Sequence, residues 1–315
     1  MTLREYRKGD WTGIADLWGR NPSDEYPLLG FNAEAVGTVL RKIEGVGLRF
    51  VLGLARLLGR PIVIVLIIDL DGRVAGTTIL NFTRETSYVS GVVVDSSVRH
   101  QGYAQSMMRA CDDLTRKYHR PCVTLDVMSQ NQPAIRLYEK GGYRFLREQV
   151  WLVRPFGPDA PLPAPSGTTL IRPSRSSDGA ALAELDNALM PPEVRAIVPR
   201  HAREFRRGVA TRGILEAESQ SWVVEIGGRP AGFLQATRSH VMEAANLSSP
   251  VFGRDVPDSV ARDLLLAALR WTESQKAPRV LVQVPQHEWG RRPLLDSLGF
   301  VEHFRMLTMV HRLSA

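Results

Sequence analysis

Two periodicities run side by side in this chain. The stretch Tyr88–Val94 (YVSGVVV) is β-branched and apolar on both faces, which predicts a buried strand. After Gly102, apolar residues fall at Ala104, Met107, Met108, Cys111, Leu114 and Tyr118, the spacing of one helix face. Asp112 and Asp113 lie off that face. Arg116, Lys117, His119 and Arg120 gather where cations complement a helix C-terminus. The order is therefore strand, polar loop with glycine, helix.

The pattern recurs. Leu3-Arg4 and Asp10 through Leu17 match Ile171-Arg172 and Asp178 through Leu185 at an offset of 168, each reading as a strand then a helix. Gly72-Arg-Val-Ala-Gly76 matches Gly228-Arg-Pro-Ala-Gly232 at an offset of 156, each a turn that opens a strand. Val127 through Tyr143 match Val284 through Phe300 at an offset of 157 without a gap. Near-constant offsets over three blocks argue for tandem copies of one fold. Between the copies, Arg154–Gly167 (RPFGPDAPLPAPSG) carries too many prolines for a helix or central strand and reads as a semi-rigid linker. The expected domains are 1–153 and 168–315, joined by 154–167.

The falling offset places about 12 extra residues in the first copy, between Leu17 and Gly72, in a segment at 31–59 that looks helical. Leu48, Val51, Leu52, Ala55 and Leu58 make one apolar side, and Phe50, Leu54 and Leu57 another. A core helix buried on both sides is the first reading; a subunit contact or a lid over an acceptor site is the second.

Composition narrows the class. The chain has 315 residues, 44% hydrophobic and 23% charged, ordinary for two soluble domains. The two cysteines, Cys111 and Cys122, are too few for a disulfide framework and read as reduced and buried. The opening MTLREYRKGD has no apolar signal core, and the apolar stretch Leu48–Leu58 is interrupted by arginines and too short to span a bilayer, so a cytoplasmic protein off the membrane is expected. A net charge of +7 suits anionic partners, polyphosphate cofactors among them. The basic run near Arg195–Arg212 reads as a solvated helix face. It lacks the aromatic interleaving of a single-strand binder, which disfavours nucleic acid. The seven histidines form no metal-ligand spacing, and no Gly-x-Ser-x-Gly elbow is present.

The loop Val94-Asp-Ser-Ser-Val-Arg99-His-Gln-Gly102-Tyr-Ala104 carries the candidate chemistry. Free amides at a helix N-terminus converge on one point, where the dipole favours negative charge. Gly102 permits close main-chain approach and Ala104 leaves room for a ligand. No Gly-Lys-Ser/Thr follows, so this is not a Walker A loop.

Val94, Arg99, Gly102 and Ala104 match the cofactor signature of the GNAT superfamily of N-acetyltransferases, which the first 153 residues resemble. The later run Asn131-Gln-Pro-Ala134-Ile-Arg-Leu137-Tyr138-Glu-Lys-Gly-Gly142-Tyr143 matches that family's second motif, with Tyr143 in place of the usual Phe. The second half keeps the outline only. The resemblance and the repeat together imply two tandem α/β (α+β) domains, each a mixed, mostly antiparallel sheet flanked by helices. They further imply transfer of an acetyl group from acetyl-CoA, bound as cosubstrate, to a primary amine of a small molecule or peptide. Main-chain groups near Val92, Val93 and Val94 would hold the pantetheine arm, and one N–H near Val92 the oxyanion. The amides of His100, Gln101, Gly102, Tyr103, Ala104 and Gln105 would hold the pyrophosphate, with Arg99 adding charge. Asn131, beside Ala134, would bond the arm. Arg136 and Lys140 are weaker candidates for the 3′-phosphate. Tyr138 would be the general acid toward the leaving thiolate, and the bland alternative for it is a core aromatic. Glu85, Asp95, Asp24 and Glu25 are candidate bases among which the sequence does not choose; Asp24, Glu25 and Tyr26 are also acceptor-specificity candidates. A non-catalytic acyl-CoA sensor or interaction protein is the alternative, and homodimerisation is left open.

In the second half, Val256, Ser259, Glu288 and Leu295 stand where Arg99, Gly102, Asn131 and Tyr138 stand in the first, and only Ala261 repeats Ala104. The expectation is a copy that keeps the fold without the catalysis.

Overall fold

The computed structural model describes residues 2–21, 46–158, 161–205, 217–239 and 242–313, leaving aside the side chains of 46–51. The chain forms two compact units. One holds the described residues up to Arg147 together with those from Met306 on; the other runs from Glu148 to Arg305.

The first half of the chain gives β1 (Thr2–Glu5), α1 (Asp10–Arg20), α2 (Val46–Leu57), β2 (Val63–Leu70), β3 (Arg73–Phe82) and β4 (Ser87–Val94). After the loop come α3 (Tyr103–Lys117), β5 (Cys122–Met128), α4 (Gln132–Lys140) and β6 (Arg144–Pro155). The second half gives β7 (Ile171–Pro173), α5 (Gly179–Leu189), β8 (Ala217–Ile226), β9 (Arg229–Ser239), β10 (Ala245–Leu247) and β11 (Val251–Phe252). It ends with α6 (Asp258–Ser274), β12 (Arg279–Pro285), α7 (Arg292–Ser297) and β13 (Val301–Arg312).

Each unit is a mixed sheet in which antiparallel pairs prevail. In the first, β1, β2, β3 and β4 are antiparallel neighbours. β4 and β5 pair parallel, and β5 is closed antiparallel by Met306–Arg312 of β13. In the second, β7, β8, β9 and β10 follow the same antiparallel plan. β10 and β12 pair parallel, and β12 is closed antiparallel by Gln149–Pro155 of β6. The last strand of each sequence repeat thus completes the sheet of the other.

This differs from the expected division at 153. Glu148–Pro155 belong with the second unit and Met306–Arg312 with the first, because the partners of a strand are chosen by packing and not by proximity in sequence. The linker is also shorter than expected at its start. Arg154 and Pro155 are strand residues, and Pro155 is tolerated because it occupies the terminal pair of the ladder, opposite Arg279. Arg154 is buried and donates from Nε to the carbonyl of Leu298 at 2.7 Å.

Alternation along the strands sorts the core. On one face of the first sheet, Val123, Leu125 and Val127 of β5 pack with Met108 and Cys111 of α3, Ile135 and Tyr138 of α4, and Met309 of β13. On the other face, Ile14 and Leu17 of α1 pack on Ile67 and Val74. The second unit buries Leu264, Leu265 and Leu269 of α6 against Leu234, Val280 and Val282. Both cysteines are free and buried, and burial pushes the Cys111 thiol up to about 12.

Two expected helices change. Of the segment at 31–59, α2 is the described helix; Leu57 is 83% exposed, so this side is not core. The basic run resolves into a short helix Pro192–Arg195 and a 3₁₀ turn Ala202–Phe205, with its later residues outside those described. Among the described residues, no helix is long and apolar enough to cross a membrane.

Candidate active site

The site begins with a fault in the sheet. β4 and β5 pair through Ser87–Val123, Tyr88–Thr124 and Val89–Leu125, and no β4–β5 pair follows among the described residues. On its other edge β4 stays paired with β3 as far as Val94, but two residues, Gly91 and Val92, oppose the single Thr78. Gly91 has φ +61°, the left-handed conformation of a bulge, which a β-branched residue would resist. The bulge turns β4 away while Asp126–Met128 of β5 pair with Thr308–Met306 of β13. A wedge opens between Ser90–Val94 and Asp126–Met128. Its β4 wall carries main-chain groups with no ladder partner in β5, the surface to which an extended chain can add. Val92, Val93 and Val94 form that wall. The side chains of Val92 and Val94 pack toward α3, and that of Val93 toward α1.

The wedge leads into the loop. Asp95 caps the 3₁₀ turn Ser96–Val98, its Oδ1 accepting from the N–H and the hydroxyl of Ser97 at 3.0 and 2.7 Å. Its other oxygen takes Arg73 at 3.0 Å and Arg20. These hydrogen bonds, from Ser97 first and then Arg20, hold its carboxyl down to about 2. Asn21 braces the same turn by accepting the N–H of Ser96 at 2.7 Å.

Next, His100 at φ +64° and Gly102 at φ +82° bracket Gln101. Left-handed residues spaced this way curl the backbone so that its amides converge, and a histidine held there is conformationally strained. α3 starts at Tyr103 with no side-chain cap, so the amides of its first turn have neither an intrahelical partner nor a capping group. A Cβ on Gly102 would meet no atom within 4 Å, so the demand for glycine comes from φ, and the space beside it is open. Nε of Arg99 donates to the carbonyl of Val94 at 3.2 Å, fixing the guanidinium beside the loop, while the Tyr103 hydroxyl donates to Gln101. The expected residues from Val92 to Gln105 therefore form one continuous surface.

Asn131 is engaged locally. Its Oδ1 accepts the N–H of Ala134 at 3.2 Å and caps α4, so any contact with a pantetheine arm falls to its amide nitrogen. Two turns on, Tyr138 is buried and lines a cavity of about 180 Å³ with Gln105, Met108 and Asp112 of α3, Leu137, and Tyr143. Lys140 is exposed at this cavity and Arg136 is exposed on the same helix. Deeper in, the Tyr143 hydroxyl donates to Asp112 Oδ1 at 3.1 Å, and His311 of β13 stands 3.2 Å from Asp112 Oδ2. Burial raises the Asp112 carboxyl against the opposing pull of His311 and Tyr143. Neither Asp112 nor His311 was marked by the sequence, because they lie 199 positions apart.

Of the four carboxylates expected as bases, Asp95 is a loop anchor whose depressed pKa makes it a poor proton acceptor. Glu85 lies before the paired end of β4, six residues from Gly91, roughly 20 Å along a strand. Asp24 and Glu25, with Tyr26, lie outside the described residues. Sequence reasoning missed a fifth carboxylate, Asp126 on β5, at the mouth of the wedge. It accepts from Thr308 Oγ1 at 2.6 Å and from the Tyr88 hydroxyl at 3.2 Å, and burial raises its pKa.

Residues 18–143 match the profile of the Acetyltransferase (GNAT) family, a span that contains the bulge, the loop, Asn131 and Tyr138. The first half of the chain is thus similar to the GNAT family. The fold of the whole chain is shared by solved structures. A tandem GNAT protein from the clavulanic acid biosynthesis pathway, solved without acetyl-CoA, superposes with a TM-score of 0.67 at 17% identity, covering 100% of this chain and 99% of that one. A GCN5-related N-acetyltransferase from Sphaerobacter thermophilus gives 0.64 at 16%, covering 100% and 96%. A putative acetyltransferase from Pyrococcus horikoshii gives 0.60 at 13%, covering 99% and 89%. At these identities the likeness is one of fold. A search of curated proteins finds no significant match.

The second unit is built differently at the corresponding place. Val256 is buried, and Pro257, which has no N–H, precedes α6. Arg291 donates to the carbonyls of Val256 and Gly253 at 2.9 and 3.4 Å and pairs with Asp258 at 2.9 Å, laying a guanidinium across the start of the helix. Neither Gly253 nor any residue from 254 to 261 has positive φ. Leu295 is buried in the place of Tyr138, and Glu288 is half-buried, its carboxyl pushed up to about 7 by burial and by Asp186. Among the described residues, no cluster of three or more His, Cys, Asp or Glu side chains is placed to hold a metal ion.

Proposed function

We propose that the first unit transfers an acetyl group from acetyl-CoA to a primary amine, by direct attack of the amine in a ternary complex. The observation that carries this reading is the continuity of two surfaces. A strand gap, where Ser90–Val94 have no ladder partner in β5, runs into an uncapped helix N-terminus behind two left-handed residues, His100 and Gly102. The first suits an extended amide-bearing arm and the second a pyrophosphate, the two parts of coenzyme A.

In this reading the amides from His100 to Gln105 and the charge of Arg99 hold the pyrophosphate. The β4 wall holds the arm, with Asn131 and Ala134 at the start of α4 on its other side. The acetyl carbonyl comes to the bulge, where an N–H near Val92 stabilises the oxyanion. Tyr138 protonates the departing thiolate. The second unit keeps the fold and does not bind the cofactor: Arg291 and Pro257 replace the free amides that a pyrophosphate needs.

Calorimetric titration with acetyl-CoA tests this on the wild type, Gly102→Glu and Ser259→Glu. One site per chain is expected, lost in Gly102→Glu and kept in Ser259→Glu. Two sites would refute the assignment of the second unit, and unimpaired binding by Gly102→Glu would refute that of the loop.

A further inference from the structure

An acid that has given up its proton must be reloaded. Once Tyr138 has protonated the thiolate it is a phenolate, and because it is buried its next proton needs a route. We propose that His311 and Asp112 form that route, carrying a proton from solvent to Tyr138 through water in the cavity that Asp112 and Tyr138 share. The proposal rests on the acetyltransferase reading, with Tyr138 as its acid.

Three elements meet at Asp112. It lies on α3, accepts the Tyr143 hydroxyl at Oδ1 over 3.1 Å, and holds Oδ2 3.2 Å from Nδ1 of His311 on β13. The His311 side chain is 21% exposed and that of Asp112 10%, so the imidazole is the outer end of the pair. The inner end is the cavity of about 180 Å³, lined by Asp112, Tyr143, Tyr138 and Gln105 among others. That volume is well above the ~30 Å³ of one water, and polar groups on several sides offer a water its partners. Burial raises the Asp112 carboxyl against the pull of His311, Tyr143 and Arg116, which lets it hold a proton to pass on. Burial also keeps the thiol of Cys111, its neighbour on α3, neutral. Arg109 and Lys140 are the charged groups that line the cavity with it.

The second unit supplies a comparison. α3 and α6 each run out into a left-handed residue, His119 and Lys276, at the same offset of 157, which fixes the correspondence of the two helices. At that offset Leu269 stands for Asp112, Phe300 for Tyr143 and Leu295 for Tyr138. Arg154 opposes Val280 as His311 opposes Val123. Leu269 and Phe300 are buried in the core of that unit, and Arg154 donates to the Leu298 carbonyl. The fold therefore closes at this place without a carboxylate, a phenol or an imidazole. All three are present in the unit that has Tyr138, and all three are replaced in the unit where leucine takes its position. Packing alone does not require that joint loss, whereas service to Tyr138 does.

The proton path balances. Tyr138 gives its phenolic proton to the thiolate. His311 takes one proton from solvent and passes one from Nδ1 to Asp112, and Asp112 passes one through water to the phenolate, which restores all three groups. An ammonium acceptor sheds two protons and the path takes one back, so the products are the acetamide, the free thiol and one proton.

The test is rapid-mixing thiol release by the full-length chain with acetyl-CoA and n-butylamine, beside calorimetry with acetyl-CoA. In Asp112→Asn and His311→Ala the first equivalent of thiol should form within about 2-fold of the wild-type rate, and later turnovers should slow about 10-fold, because only the reloading step is impaired. Added imidazole should restore His311→Ala and leave the wild type and Tyr138→Phe unchanged. Asp112→Leu with Tyr143→Phe copies the packing of the second unit; it should bind acetyl-CoA as the wild type does and show the same burst, and it carries the test if Asp112→Asn does not fold. Equal slowing of first and later turnovers, full activity in all these variants, or no response of His311→Ala to imidazole would overturn the path and leave Tyr138 and the cofactor site standing. A wild type that binds acetyl-CoA and releases no thiol with the amine, or a Tyr138→Phe as fast as wild type, would overturn the acid assignment together with the path. A wild type that does not bind acetyl-CoA would overturn the whole reading.

Discussion

The side-chain oxygen of Asn21 accepts the main-chain N–H of Ser96 at 2.7 Å, joining the end of α1 to the first turn of the loop before α3. Asn21 is buried, and its amide also donates to the carbonyl of Leu17 at 2.9 Å. Replacing it with alanine leaves the Ser96 N–H short of its partner, while the Leu17 carbonyl keeps the main-chain N–H of residue 21 at 3.0 Å. Asn21→Ala should cost about 1–2 kcal/mol in urea unfolding, the usual penalty for a buried unsatisfied group. Acetyl-CoA affinity should fall several-fold, because the loop is no longer held. A variant equal to wild type in both measurements would show that Asn21 is dispensable to the loop.

Asp95 sets an acid limit on the same loop. Its carboxyl is held at about 2 in the folded chain, below the unfolded value near 4. A group whose folded pKa is depressed contributes stability that is fully present above the unfolded pKa and is lost as pH falls through the folded one. Wild-type stability should therefore decline between roughly pH 4 and pH 2 more steeply than that of Asp95→Asn. Parallel acid-unfolding curves would remove Asp95 from the anchoring role.

Tyr138→Phe keeps the ring that packs with Ile135 and Tyr143 and removes only the hydroxyl. Turnover should drop about 100-fold, within the range for loss of a general acid, and calorimetry should give an acetyl-CoA affinity within about 2-fold of wild type. Comparable losses in rate and affinity would assign Tyr138 to the core instead.

The exchanged strand makes the first unit depend on the far end of the chain. Met309 of β13 is fully buried in the core of the first unit, and Thr308 supports Asp126. Met309→Ala should destabilise the chain by about 2–4 kcal/mol, as core truncations do. A chain ending at Arg305 should lose acetyl-CoA binding, because β5 is left with an open edge. Retained binding in that truncation would mean that β13 is not needed by the cofactor unit.

Much of the site was legible in the sequence because its parts are local. A β-branched run, a polar turn with glycine and an amphipathic helix follow one another between Tyr88 and Tyr118, and each is set by residues a few positions apart. Asn131 before a proline-containing helix is equally local, although its Oδ1 is committed to capping. Repeat spacing also carried the tandem arrangement, since two copies of one fold keep one order of elements.

The sequence alone determined the order of elements, the place of the loop and the residues absent from the second copy. Only the tertiary structure decided that β13 closes the first sheet and β6 the second, that Glu85 is remote while Asp126 stands at the wedge, and that Asp112 meets His311. Local conformation follows from dihedral preference and periodicity, which are written residue by residue. Strand partners, and the desolvation that raises one aspartate while ion pairs depress another, depend on contacts between distant segments, and those exist only once the chain has packed.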